Sequence, residues 1–195
     1  MSGREGGSST CASHPPSRSP TCAARSTSRS PAAALPDWLN VLTKPGGELA
    51  IVTATPAEIR SLPDLLEAAD REAKGAIAFD ADAFGAAGLE LGTIDLITPD
   101  QLAAASGLTV LDVREADEWT SGHVPDALWI PLEELPSRVG EIPQGRVATI
   151  CASGFRSSAA ASLLEAAGRT ALANVWGGTT AWRQLGLPVR VGRGA

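Results

Sequence analysis

The sequence predicts an α/β domain built on a mainly parallel sheet, and three observations predict it. Short apolar runs alternate with helix-patterned segments through most of the chain, an order that favours parallel strands joined by crossover helices. Glycines follow the helix patterns at Gly168 and Gly186, where helices stop. A small-residue loop, Cys151 to Ser157 ("CASGFRS"), directly follows the apolar run Val147 to Ile150. In parallel sheets, ligand sites form at the carboxyl ends of strands.

Residues 1–34 are rich in Ser, Pro, Arg, Thr and Ala, with a single acid, Glu5. Such a segment buries too little surface to offset its ordering entropy, so a disordered tail is expected. Its Arg- and Ser-rich composition also suits an organellar transit peptide, and a start site placed too far upstream would look the same. From Leu35 the composition becomes globular. The first block, 36–92, predicts a strand over 49–52, a helix over 56–73 bent at Pro63, and a strand over 76–79. The second block, 94–190, begins near Ile94. Thr98 is the expected N-cap and Pro99 the first helical residue of its first helix. Strands are expected at 108–113, 127–130, 147–150 and 174–176, with helices over 157–167 and 179–185.

Among 195 residues the formal net charge is −6 and 44% are hydrophobic. An acidic chain without a basic stripe is a poor nucleic-acid binder. No run of about 18 apolar residues is present to span a membrane. The cysteines are Cys11, Cys22 and Cys151, and the histidines His14 and His123; their spacing is not that of a zinc site. Nothing in the sequence calls for a metal or an organic cofactor, and sparse cysteine usage suits a reducing, cytoplasmic setting.

A shift of 98 positions aligns residues 45–91 with 143–189 without a gap. Leu65-Leu66-Glu67-Ala68-Ala69 then meets Leu163-Leu164-Glu165-Ala166-Ala167, and Arg71 meets Arg169. This predicts a duplication. The first copy keeps the scaffold and lacks the loop: Thr53 stands for Cys151, Glu58 for Arg156, and Phe79-Asp80 for Gly177-Gly178. It reads as the second half of a degenerate domain.

The loop has what a reactive cysteine needs. Thiolate is the nucleophilic form, and a free thiol ionises only near ~8.5. Backbone N–H groups of Ala152, Ser153, Gly154, Phe155 and Arg156 can curl into an anion-binding nest. The helix beginning near Ser157 points its positive end at the loop, with Ser157 as its expected N-cap. Arg156 adds a full charge, and Gly154 permits the unusual dihedrals. The spacing is C-x4-R. A C-x5-R loop is wide enough for phosphate; the shorter ring better suits a terminal sulfur on the cysteine.

The fragments "VLDVREADEWTSGHVPDALWIPLEEL", "ICASGFRSSAAASLLEAAG" and "NVWGGTTAW" together resemble the rhodanese-like sulfurtransferases over about residues 94–190. The resemblance implies a five-stranded parallel sheet flanked by helices, with Cys151 carrying sulfane sulfur as a persulfide. Its donor would be thiosulfate or a persulfide and its acceptor a thiol, small or protein-borne, or cyanide. Read the same way, the first copy resembles an inactive half-domain, a layout similar to proteins in which a metallo-β-lactamase-fold domain precedes two rhodanese units. Asp112 and Arg114 match the family's strand-end segment and are expected to act through hydrogen bonds and charge pairing, Arg114 with Glu118 at i,i+4. Gly177-Gly178 is expected to permit close backbone approach to the loop. His123 reads as structural, and Phe155 as a shield for the sulfur or an apolar surface for a partner. Two alternatives stay open: a small cysteine phosphatase or arsenate reductase on the same fold, and a rhodanese-fold binding module without catalysis.

Overall fold

A computed structural model of the chain describes residues 9–13, 39, 42–43 and 46–192. Apart from Ser9–Ser13, a short strand (β1), the predicted tail lies outside the described residues. The chain divides into two compact units, Cys11–Gly92 and Thr93–Ala195 with Met1–Thr10.

The N-terminal unit holds a two-stranded parallel sheet of Ala50–Thr53 (β2) and Gly75–Ala78 (β3). Between them, where the sequence predicts one bent helix, run two short ones, Pro56–Ile59 (α1) and Leu62–Ala68 (α2). Pro63 is the reason. A proline inside a continuous helix removes a hydrogen bond and clashes with the preceding turn, whereas in a first turn it does neither. The chain therefore restarts a helix around it rather than bending through it. Glu58 fastens the start of α1 by accepting from the N–H groups of Ala54 and Thr55 at 2.8 and 3.1 Å. A third helix, Ala81–Ala86 (α3), starts at Asp80, whose carboxylate accepts from the N–H groups of Asp82 and Ala83.

The C-terminal sheet contains five parallel strands: Glu90–Ile97 (β4), Leu108–Asp112 (β5), Leu128–Trp129 (β6), Arg146–Ile150 (β7) and Leu172–Val175 (β8). Their order is β4-β8-β7-β5-β6, with β1 beyond β4 at the edge. The helices are Pro99–Ala104 (α4), Ala116–Thr120 (α5), Leu135–Arg138 (α6), Phe155–Ala166 (α7) and Gly178–Gln184 (α8). As predicted, Pro99 opens α4, and the Thr98 N–H donates to Gln101 at 2.9 Å. Residues 147–150 of β7 and all of β8 are buried, as expected of central parallel strands covered on both faces. Ile150 and Val175 pack in one cluster with Leu102, Val124 and Trp182. Helix α7 packs on β7 and β8. Its Ala159, Ala160 and Ala161 are buried, so the helix backbone lies close to the strands that carry the cysteine loop.

The two units share a register. Ala50 pairs with Gly75 and Ala148 with Ala173, and the second pair is the first moved by 98 positions.

Candidate functional site

Cys151 is the first residue after β7 and is 1% exposed. The strand order decides its neighbours. On one side the end of β5 is tied to it, with the Val113 N–H donating to the Ile150 carbonyl at 3.0 Å. On the other side β8 delivers Gly177 and Gly178. The N–H groups of Thr179 and Thr180, in the first turn of α8, donate to the carbonyls of Cys151 and Ala152 at 2.7 and 3.0 Å. Helix-end donors that would otherwise be orphaned thus hold the loop's carbonyls outward.

Two polar groups face the sulfur. The Gly154 N–H lies 3.1 Å from Cys151 Sγ and the Ser157 hydroxyl 3.4 Å. Gly154 adopts φ 102° and is itself the N-cap of α7, a conformation that suits glycine. This corrects the expected helix start: α7 begins at Phe155, two residues early, so Ser157 is inside the first turn and turns its hydroxyl to the sulfur. Phe155 is buried, so it does not present an apolar surface to a partner. Ala152, Ser153 and Gly154 are half-buried.

Arg156 is placed differently from the expectation of a guanidinium free to face an anion in the loop. It forms a two-point pair with Glu118, Nη1 to Oε2 at 2.6 Å and Nη2 to Oε1 at 2.8 Å. The expected Arg114–Glu118 pair is not formed. Arg114 instead grips Asp112, Nε to Oδ1 at 2.9 Å and Nη2 to Oδ2 at 2.7 Å, and donates to the carbonyls of Glu118 and Gly122. Asp112 and Arg114 are 0% and 2% exposed, so they brace the ends of β5 and α5 from inside and do not line the approach. His123 is buried and stacks on Trp119 with 3.5 Å between ring centroids, its Nδ1 bonded to the Trp119 carbonyl; it serves structure.

Burial alone would raise the Glu118 carboxyl, but the hydrogen bonds and charge of Arg156, the Glu115 N–H and the charge of Arg114 outweigh it, so Glu118 is held below its ordinary 4.5. Burial, then the negative charge of Glu133, raises Glu115, against the pull of Arg156. A carboxyl lowered in the folded state stabilises the fold above its unfolded value and loses that contribution as pH falls through the folded one. Thermal unfolding should therefore show an acid loss below pH 4.5 that is smaller in Glu118→Gln; parallel curves for the two proteins would mean the pair contributes nothing.

Two residues of the site escaped sequence reasoning, and Glu118 was read only as a partner for Arg114. Asn174, on β8, accepts the Ser157 hydroxyl at 2.7 Å and donates to the Gly154 carbonyl at 3.2 Å. Thr149, on β7 and paired with Asn174, donates to the Ser157 carbonyl at 2.8 Å. The signal was a polar residue within an otherwise apolar strand, "LANV" and "VATI", since buried polar groups need partners. Among the described residues no cluster suited to a metal ion occurs, and no helix is long and apolar enough to cross a membrane.

A parallel sheet whose central strand ends in a cysteine-led C-x4-R loop, closed by a Gly-Gly helix start, defines a rhodanese-type domain. The sequence comparisons agree. Residues 98–185 match the family model of the rhodanese-like domain. A protein of Allochromatium vinosum named "Sulfurtransferase" is 38% identical over 90 residues, 46% of this chain and 84% of that one. "Thiosulfate sulfurtransferase 16, chloroplastic" of Arabidopsis thaliana is 31% identical over 100 residues, 44% of this chain and 82% of that one. A rhodanese-related protein of Thermoplasma volcanium, solved by crystallography, is 33% identical and aligns over 49% of this chain and 96% of its own with a TM-score of 0.44. Of several other relatives the chain spans about half the length or less. The chain belongs to the rhodanese-like domain family.

Proposed function

We propose that the C-terminal unit is a sulfurtransferase in which Cys151 carries the sulfur. The observation that supports this best is the Gly154 N–H aimed at a buried Sγ at the end of a central strand. A donor preset on a sulfur favours the charged form it needs for attack. The thiolate attacks the outer sulfur of a donor, thiosulfate or a persulfide. A new S–S bond forms at Cys151 as the donor's own bond breaks, and sulfite or a thiolate leaves with the electron pair. An acceptor thiolate or cyanide then attacks the outer sulfur of the Cys151 persulfide and returns the Cys151 thiolate, so no external oxidant or reductant is consumed. A reducing, cytoplasmic setting would keep the thiol available.

The N-terminal unit is read as a degenerate half-copy of the same domain. The shared register of Ala50 with Gly75 and Ala148 with Ala173 supports it. A metallo-β-lactamase-fold partner is the further proposal that this layout suggests.

The test is intact mass after incubation with thiosulfate or with glutathione persulfide. The expected result is a gain of one sulfur atom, reversed by cyanide and absent in Cys151→Ser. No gain with either donor would favour a binding module, and hydrolysis of an aryl phosphate without sulfur uptake would favour a phosphatase.

A further inference from the structure

Ser157 has one proton and two acceptors. Its Oγ lies 2.7 Å from Asn174 Oδ1 and 3.4 Å from Cys151 Sγ. The Asn174 amide is oriented by its other end, which donates to the Gly154 carbonyl, so the end facing Ser157 is the oxygen. All three side chains are enclosed: Cys151 is 1% exposed, Ser157 0% and Asn174 8%. A buried amide oxygen without a donor is costly. The Ser157 proton therefore rests on Asn174, and the oxygen lone pair faces the thiol, which donates to it. When Cys151 ionises, either Ser157 turns its proton to the sulfur and strands Asn174, or the thiolate goes without that donor. Each choice favours the protonated thiol.

We propose that Asn174 is a positioning residue for Cys151: by holding the Ser157 proton it restrains the ionisation of the thiol and keeps the thiolate, once formed, basic and nucleophilic. This rests on the reading of Cys151 as the sulfur carrier only for its purpose; the hydrogen-bond exchange itself does not depend on sulfur transfer. A less stabilised thiolate is the stronger nucleophile so long as enough of it is present near working pH.

The N-terminal unit gives an internal comparison. In the register that pairs Thr149 with Asn174, its β2 and β3 pair Ile51 with Ala76. The position of Ser157 holds Ile59 and that of Cys151 holds Thr53. The polar network is missing where the cysteine is missing, and apolar residues fill its place. A network needed only to hold β7, β8 and α7 together would have no reason to vanish with the thiol.

The charged groups around the thiol are Arg156, bound to Glu118, with Glu115 beyond it, and the buried Asp112–Arg114 pair at the end of β5; none is altered in the variants. The experiment is thiolate absorbance against pH for the full chain, taken as the difference from the same background carrying Cys151→Ser. Asn174→Ala releases the Ser157 proton to the sulfur, and the profile should move toward acid by about one unit, the difference between a neutral and a charge-assisted hydrogen bond. In a Ser157→Ala background the same change should move nothing. Asn174→Leu, which keeps bulk in the core, should repeat the shift and serves if the alanine variant fails to fold. An unmoved profile in Asn174→Ala and Asn174→Leu, or an equal shift with and without Ser157, overturns the proposal. Because the titration reads the thiol directly, it stands or falls apart from the mass test for sulfur uptake.

Discussion

Asp112→Ala should destabilise the C-terminal unit by about 3–5 kcal/mol, the usual cost of removing one partner from a buried ion pair. The carboxylate accepts from Nε and Nη2 of Arg114 and from the Arg114 backbone N–H. Without it, a guanidinium that is 2% exposed keeps only the carbonyls of Glu118 and Gly122. Two carbonyl dipoles do not neutralise a charge removed from water. Thermal unfolding should show a fall in Tm of at least about 12 °C for a domain of this size. The charge, not the lost packing, is responsible, so Asp112→Ala combined with Arg114→Met should recover much of the loss. A Tm within a few degrees of the parent in the single variant would contradict this account. The effect reaches the loop as well. Val113, next to Asp112, donates to the Ile150 carbonyl, and the Asp112 carbonyl accepts from Ile130, so this pair fixes the edge against which Cys151 is set.

That pair also illustrates where sequence reading runs out. The i,i+4 spacing of Arg114 and Glu118 suggested a helical ion pair. That rule applies when both residues lie on one helix, and α5 begins only at Ala116. Arg114 sits before the helix, turns inward and reaches the backbone carbonyl of Glu118 instead. The freed carboxylate then meets Arg156, 38 residues away in sequence, a contact that only the pairing of β5 with β7 creates. Local signals carried further. The positions of Cys151 and Gly154 could be read from their place after an apolar run, and the parallel sheet from alternation alone, because strand period, helix caps and turn residues are short-range properties. Asn174 was legible as part of a strand but not as a partner of Ser157, since nothing in the spacing of β8 reports what α7 lays across it.

Gly178→Ala should slow sulfur uptake at Cys151 on the order of 10²-fold while the domain remains folded. Gly178 has φ 56°, and a Cβ built there lies 2.1 Å from the Cys151 carbonyl oxygen and 2.7 Å from the carbonyl carbon and oxygen of Ala152. These are backbone atoms of the loop itself, so no side chain can swing away to make room. Either the loop or the start of α8 must move, and the bonds from Thr179 and Thr180 to those same carbonyls are lost with it. A displacement of about 1 Å at a reacting atom costs on the order of 10²-fold in rate. Gly186→Ala separates geometry from strain: Gly186 also has a left-handed φ, 68°, but its Cβ would meet open space. That variant should lose only the roughly 1–2 kcal/mol of left-handed strain and take up sulfur at the parent rate. The measurement is the time course of mass gain with glutathione persulfide, beside the Tm of each variant. Equal uptake by both glycine variants would mean that the approach of α8 to the loop is not what sets the geometry at Cys151.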